Sequence, residues 1–278
     1  MPTLSHREMR KLVRKLGAVT RPGEQRQALE TLVQLCLSPD SVAAIADAGA
    51  IPDLVQLLRP GSASEMQERA AAVLWGLAAI YADNKVTIAA AGAIPPLVQL
   101  LGSASPADVQ QYAARALWHL TQNDDNKVTI AAAGAIPPLV LLLGPGSPAA
   151  VQEWAAAALS GLAANADNTV TIAAAGATPP LVQLLGHGNP AVVQEWASGT
   201  LCGLAMNAEN QVSIAAAGAI PPLVQLLGPA SDDRIKKLAS HTLEALADNN
   251  AGNRAAIAAA AASADLLQEM EGLGINDV

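Results

Sequence analysis

AGAIPPLVQLL, residues 91–101, decides the fold of this chain because it returns with no more than one change at each recurrence. It stands as AGAIPDLVQLL at 48–58, AGAIPPLVLLL at 133–143, AGATPPLVQLL at 175–185 and AGAIPPLVQLL again at 217–227. Counted from Gly49, the glycines Gly92, Gly134, Gly176 and Gly218 follow at a spacing of 43 residues and then 42 three times. A period in this range belongs to solenoids of two or three helices per unit. The chain reads as one continuous array rather than a set of separate domains.

Punctuation divides each unit into three helices. Asn84, Asn126, Asn168 and Asn210 stand where a side-chain oxygen caps a short first helix, KVTIAAA and its copies. The repeat glycines follow it where a left-handed residue is wanted. Pro95 and Pro96, and the matching pairs at 137–138, 179–180 and 221–222, open a short second helix, because Pro is tolerated in the first turn and not deeper. A Gly/Ser/Pro loop leads to a long third helix. In ADVQQYAARALWHLTQ, residues 107–122, Val109, Ala113, Ala116, Leu117 and Leu120 share one apolar face.

Composition agrees. Of 278 residues 61 are Ala and 51% are hydrophobic, yet aromatics make up 2% and Phe is absent. Such a core suits helices, since Ala has the best helix propensity, and disfavours a sandwich or barrel built on aromatic and β-branched pairs. The uncharged stretch 128–152 has the length of a membrane span, but it contains Pro137, Pro138, Pro145 and Pro148 and recurs at 169–194. It therefore reads as a repeated soluble unit, with no membrane partner. Residues 1–15 carry charges throughout and lack the apolar centre of a secretory signal, and Cys36 and Cys202 stand alone. An intracellular, reducing setting, cytoplasmic or nuclear, is expected.

The formal net charge of −8 argues against a nucleic-acid partner, which calls for a basic face. Residues 1–30 nevertheless hold seven basic side chains against three acidic ones, a net +4 that leaves −12 for the rest. This basic start has two readings. It is a targeting or membrane-surface helix, or a capping helix that buries Leu4, Leu12, Val13 and Leu16 and ends the stack with a polar outer face.

The period, the short, short, long helix plan, the AGAIPPLV signature and the ALW-L…DNK pattern at 116–127 resemble armadillo repeats, in their plant and algal style. The resemblance runs through nearly the whole chain. It implies an all-α, right-handed solenoid with an N-terminal half repeat at 1–38, five repeats at 39–250 and a C-terminal cap at 251–278. In that cap Asn253 and Ile257 continue the register one residue late, and Ala264 and Asp265 replace the Pro pair. The near-identity of the copies fits recent duplication or consensus-style engineering, and both stay open.

The resemblance also implies a non-catalytic scaffold whose third helices line a groove for an extended peptide, held by a ladder of Asn with Trp one turn earlier. On that alignment Gly76, His119, Gly161, Gly203 and Ala245 occupy the Asn position. Ala72, Arg115, Ala157, Gly199 and His241 occupy the Trp position. The ladder is absent, so recognition of the nuclear-import-adaptor kind is not expected.

Other columns supply the candidate partner-binding residues. One holds Glu68, Gln111, Glu153, Glu195 and Lys237; the next holds Arg69, Tyr112, Trp154 and Trp196. A third holds Trp75 and Trp118, followed by Ser160, Cys202 and Glu244, so all four Trp lie on third helices. Arg115, His119, Gly161 and Gly203, from the ladder positions, complete the candidate set. Trp154, Ala157 and Gly161 share a helix face, as do Trp196, Gly199 and Gly203. Gly inside a helix costs about 1 kcal/mol relative to Ala, so these glycines need a reason. One reading is an aromatic shelf beside bare backbone, where a peptide stacks. The other is steric, Gly161 making room for Trp118 of the repeat before it. The acidic column points to an extended, basic peptide partner, steered by charge and weakened by salt, or else to a solvated helix face.

The sequence holds no glycine-rich phosphate loop ending in Lys and Ser/Thr, no paired His on one helix and no Ser elbow, so no enzyme and no cofactor is expected. His241 and Glu244 share a face, with Cys202 in the matching column, but a metal site needs three or four converging ligands. The alternative to a peptide-binding scaffold is an idealised structural array without a specific ligand, self-associating in solution.

Overall fold

The computed structural model describes residues 4–17, 20–248 and 250–264, and every regular element among them is a helix. Asp265 and the rest of the C-terminal cap lie outside the described residues. The chain forms two compact units, residues 1–138 and 139–278.

The first unit begins with α1 (His6–Val13), a 3-10 turn at Arg14–Leu16 and α2 (Pro22–Leu35). It continues with α3 (Pro39–Asp47), α4 (Ile51–Leu57) and α5 (Ser64–Ile80), then α6 (Ala82–Ala90), α7 (Ile94–Leu100) and α8 (Ala107–Leu120), then α9 (Asp124–Ala132). Helix α10 (Ile136–Leu142) contains the division between the units. The second unit holds α11 (Ala149–Ala163), α12 (Ala166–Ala174), α13 (Thr178–Leu184) and α14 (Ala191–Ala205). It ends with α15 (Ala208–Ala216), α16 (Ile220–Gln225), α17 (Asp233–Ala247) and α18 (Ala251–Ala264). The long third helices stack side by side, α2 on α5 and α5 on α8 in the first unit, α11 on α14 and α14 on α17 in the second.

The punctuation works as its chemistry predicts at two of three places. Pro occupies the first turn of the second helices α4, α7, α13 and α16. Gly49, Gly92, Gly134, Gly176 and Gly218 all sit at φ of 79–81°, a conformation only glycine adopts without strain. That conformation lets the next amide reach back five residues, as Ala93 N–H does to Ile88 O at 3.3 Å, and so turns the chain into the second helix.

The Asn column differs from expectation. First helices start three residues earlier than the KVTIAAA motif suggests, and Asn123, Asn165 and Asn207 cap α9, α12 and α15. Tyr81, at that place before α6, makes no side-chain cap. Asn84, Asn126, Asn168 and Asn210 instead lie buried inside the helix. Their Nδ2 groups donate to Leu77, Leu120, Leu162 and Leu204 carbonyls at 2.9–3.2 Å. Carbonyls in the last turn of a helix lack intrahelical partners, and an amide one turn inside the next helix reaches them across the elbow. Asn126 and Asn210 also donate to Lys85 O and Thr169 O, both at 3.3 Å, in the first helix of the preceding repeat. A second amide set, Gln110, Gln152 and Gln194, ties the third helix to the end of the second, with 2.9 Å bonds to Gly102, Gly144 and Gly186 carbonyls. The Asn thus closes the elbow from third to first helix, and the Gln the loop from second to third.

The capping reading of the basic start describes α1. Met9, Val13 and Leu16 are buried, Leu4 and Leu12 half-buried, and Arg7, Arg10, Lys11 and Arg14 exposed. Among the described residues no helix is long and apolar enough to cross a membrane.

Candidate functional site

Ion pairs between successive third helices form at a separation of 39 residues, and the cation–π contact at 40, not at the repeat spacing of 42. Arg26 pairs with Glu65 at 3.2 Å, Glu30 with Arg69 at 3.2 Å and Glu195 with Arg234 at 2.9 Å, each 39 residues apart. The Arg115 guanidinium lies 3.5 Å from the Trp75 ring centroid, 40 residues away. The three-residue lag is just under one helical turn. Charged side chains therefore pair not within one repeat column but with the position about one turn earlier in the next repeat.

In the first unit this register builds an aromatic and cationic cluster between α5 and α8. Trp75 is half-buried, with Arg115 over its face and the Tyr112 and His119 rings 6.3 and 6.4 Å away. Trp118 lies against His119 at 4.3 Å. The Trp75 indole Nε1 is buried and finds no acceptor among the described residues. Nearer the start of the same helices lies an acidic spot. Glu68 is half-buried, and its carboxyl is held above the usual range first by burial and then by the charge of Asp108 on α8. Gln111 is half-buried on the neighbouring turn. Arg69 does not neutralise this spot alone, because its guanidinium also bridges Glu65 at 2.8 Å and Glu30 at 3.2 Å.

Burial, then the Arg115 and Lys85 charges, push His119 down from its usual 6.5 to about 4. The unfolded chain takes up this proton near pH 6.5 and the folded chain only near pH 4. The His119 contribution to stability is therefore expected to be full above pH 6.5, to fall as pH drops towards 4, and to lose no more below it. Urea unfolding across this window should show the slope, and His119→Gln should flatten it.

In the second unit Trp154, Trp196, Glu153, Glu195, Gly161 and Gly203 are all half-buried on α11 and α14. Glu195 is engaged by Arg234, whose guanidinium also lies 5.5 Å from the Trp196 ring centroid. The acidic column is thus partly answered from within the protein. A Cβ on Gly203 would stand 2.9 Å from Ala163 Cβ, and one on Gly199 3.1 Å from Ser160 Oγ. In the first unit a Cβ on Gly76 would stand 2.6 Å from Cys36 Cβ. The steric reading accounts for these three glycines: they let third helices approach, and the space beside them is taken by the preceding helix. His241 and Glu244 are exposed on α17, and among the described residues no group of three or more His, Cys, Asp or Glu is placed to hold a metal.

Arg26, Asp108 and Arg234 escape a column-by-column reading of the sequence, and Arg69, though placed in a column, is not shown by it to pair with Glu30 and Glu65. The signal that finds them is the 39-residue register, which requires knowing which faces meet.

The family model for the armadillo/beta-catenin-like repeat matches residues 38–79, 82–122 and 123–164. The crystal structure of an engineered protein is 31% identical, with 87% of this chain and 99% of that one covered at a TM-score of 0.78. The chain belongs to the armadillo repeat family. A designed armadillo repeat protein is also 31% identical, over 86% of this chain and 99% of its own, at a TM-score of 0.78. Another designed armadillo repeat protein, in complex with the peptide (KR)4, is 30% identical over 86% of this chain and 99% of that one, with a TM-score of 0.75. No curated protein matches. In this armadillo scaffold the ladder positions Gly76 and Gly203 serve helix approach, and His119 at the same position belongs to the Trp75 cluster.

Proposed function

We propose that this armadillo chain is a non-catalytic interaction scaffold that binds extended, basic peptide segments along its third helices. The caps at 1–38 and 251–278 then enclose five repeats at 39–250, and the free thiols Cys36 and Cys202 suit a reducing, intracellular setting. The observation that carries the reading is the pair of like charges at Glu68 and Asp108, one half-buried and both on the face that bears Trp75 and Tyr112. A Lys or Arg of a partner would settle there, its charge against the two carboxylates and its stem along the rings. The relative that holds (KR)4 supports a basic partner for this scaffold.

A second reading, an array with no ligand, draws support from the Glu195–Arg234 pair, which satisfies part of the second unit's face internally. Titrating a (Lys-Arg)4 peptide while following Trp fluorescence separates the two. Saturation in the low micromolar range, weakening with salt, supports the scaffold; a flat titration supports the array. Trp154→Ala with Trp196→Ala should weaken binding of the same peptide while far-UV circular dichroism stays unchanged.

A further inference from the structure

We infer that α1 is a docking face for residues 265–278 of a second copy of this chain, so that copies associate head to tail. Residues 4–17 carry five basic side chains and one acidic one, a net +4. Arg7, Arg10, Lys11 and Arg14 are exposed. The one acid, Glu8, is committed to the helix cap, accepting from Ser5 N–H at 2.8 Å and Ser5 Oγ–H at 2.6 Å. Among the described residues none of these four basic side chains makes an ion pair, and the one polar contact is Arg10 with His6 at 3.4 Å. A terminal cap needs a polar outer face, which a mixture of charges supplies as well. Like charges three and four residues apart disfavour a helix by a few tenths of a kcal/mol per pair, about 0.2–0.5, so a face of one sign needs a further reason.

The opposite charge stands at the other end of the sequence. Asp265, Glu269, Glu271 and Asp277 give residues 265–278 a net −4 with no basic residue, equal and opposite to the α1 face. Fourteen residues reach up to about 46 Å when extended. The eight residues of α1 cover about 12 Å. The segment is therefore long enough to bring several carboxylates to the helix. The acidic segment that meets α1 is assigned to another copy; a mass that stays monomeric at every concentration at low salt would assign it to the same copy and overturn the proposal. Such a contact is heterologous, so it builds rings or open chains of copies, and in both cases the mean mass rises with concentration. It uses neither the Trp75 cluster nor the Glu68–Asp108 spot, and it stands whether or not a basic peptide binds there.

Sedimentation velocity of the full chain over a concentration series tests this. At about 0.02 M salt the mean mass should rise with concentration; at about 0.5 M, where charges are screened beyond about 4 Å, it should return to that of the monomer. Two charge-reversal sets, Arg10→Glu/Lys11→Glu/Arg14→Glu and Asp265→Lys/Glu269→Lys/Glu271→Lys, should each weaken self-association at least about tenfold at low salt. The chain carrying both sets should associate again, which a merely misfolded variant would not. A wild-type chain that stays monomeric throughout, or either single set associating like wild type, or the double set failing to recover, overturns the proposal. Binding of monomeric wild type to duplex oligonucleotide or phosphatidylserine vesicles, lost in the α1 set, also overturns it, by assigning the face to a different polyanion.

Discussion

Asn210→Ala is expected to lower the stability of residues 139–278 by about 2–3 kcal/mol, seen as a lower urea midpoint with an unchanged slope. The side chain is 6% exposed, and its Nδ2 donates to Leu204 O at 3.1 Å and Thr169 O at 3.3 Å. One bond closes the elbow after α14. The other reaches α12, the first helix of the preceding repeat, so a single amide holds both an intra-repeat corner and an inter-repeat contact. Alanine removes one donor from each of two carbonyls, leaving Leu204 O with the Asn207 N–H at 3.1 Å, and opens a small void that water has little access to fill. Asn207→Ala is the control. Its side chain caps α15 with bonds to the Glu209 and Asn210 amides at the helix start, and losing a cap costs about 1 kcal/mol. If the two variants melt alike, Asn210 acts only locally; if Asn210→Ala costs clearly more, the column binds repeats together.

The same column shows what could be read from the sequence. The motif Asn-x-x-Asn, as at 207–210, offers two Asn at a plausible helix start, and propensity alone favours either as the cap. Which one caps is decided by where the third helix ends, because its last carbonyls attract the inner Asn. That is a tertiary fact. The Pro pairs and repeat glycines were legible because they act through their own backbone, with no partner needed. The Trp columns were legible as third-helix features but not as contacts. Trp75 meets Arg115, not another Trp, since facing residues lie 40 apart while sequence columns lie 42 or 43 apart. Glu195 looked like a free acid for the same reason: Arg234 sits three positions before the column that contains Lys237.

This register also decides where charge reversal will matter most for peptide binding. Glu68→Lys with Asp108→Lys is expected to weaken (Lys-Arg)4 binding by about 3 kcal/mol, more than a hundredfold, measured by Trp fluorescence at low salt. Each reversal removes an attraction of about 0.7 kcal/mol and adds a repulsion of similar size, and the pair acts on the same cation. Their like charges already disfavour one another in the free protein, so an incoming cation relieves a strain that Glu195, answered by Arg234, does not carry. Glu195→Gln should therefore weaken the peptide only slightly. Arg234→Gln should do the opposite and tighten it, because it leaves the Glu195 carboxylate beside Trp196 without its guanidinium. A groove that binds basic segments through its carboxylates must give these opposite signs at Asp108 and Arg234. If both variants shift affinity in the same direction, the effect comes from altered packing between third helices and the acidic spot is not the binding determinant.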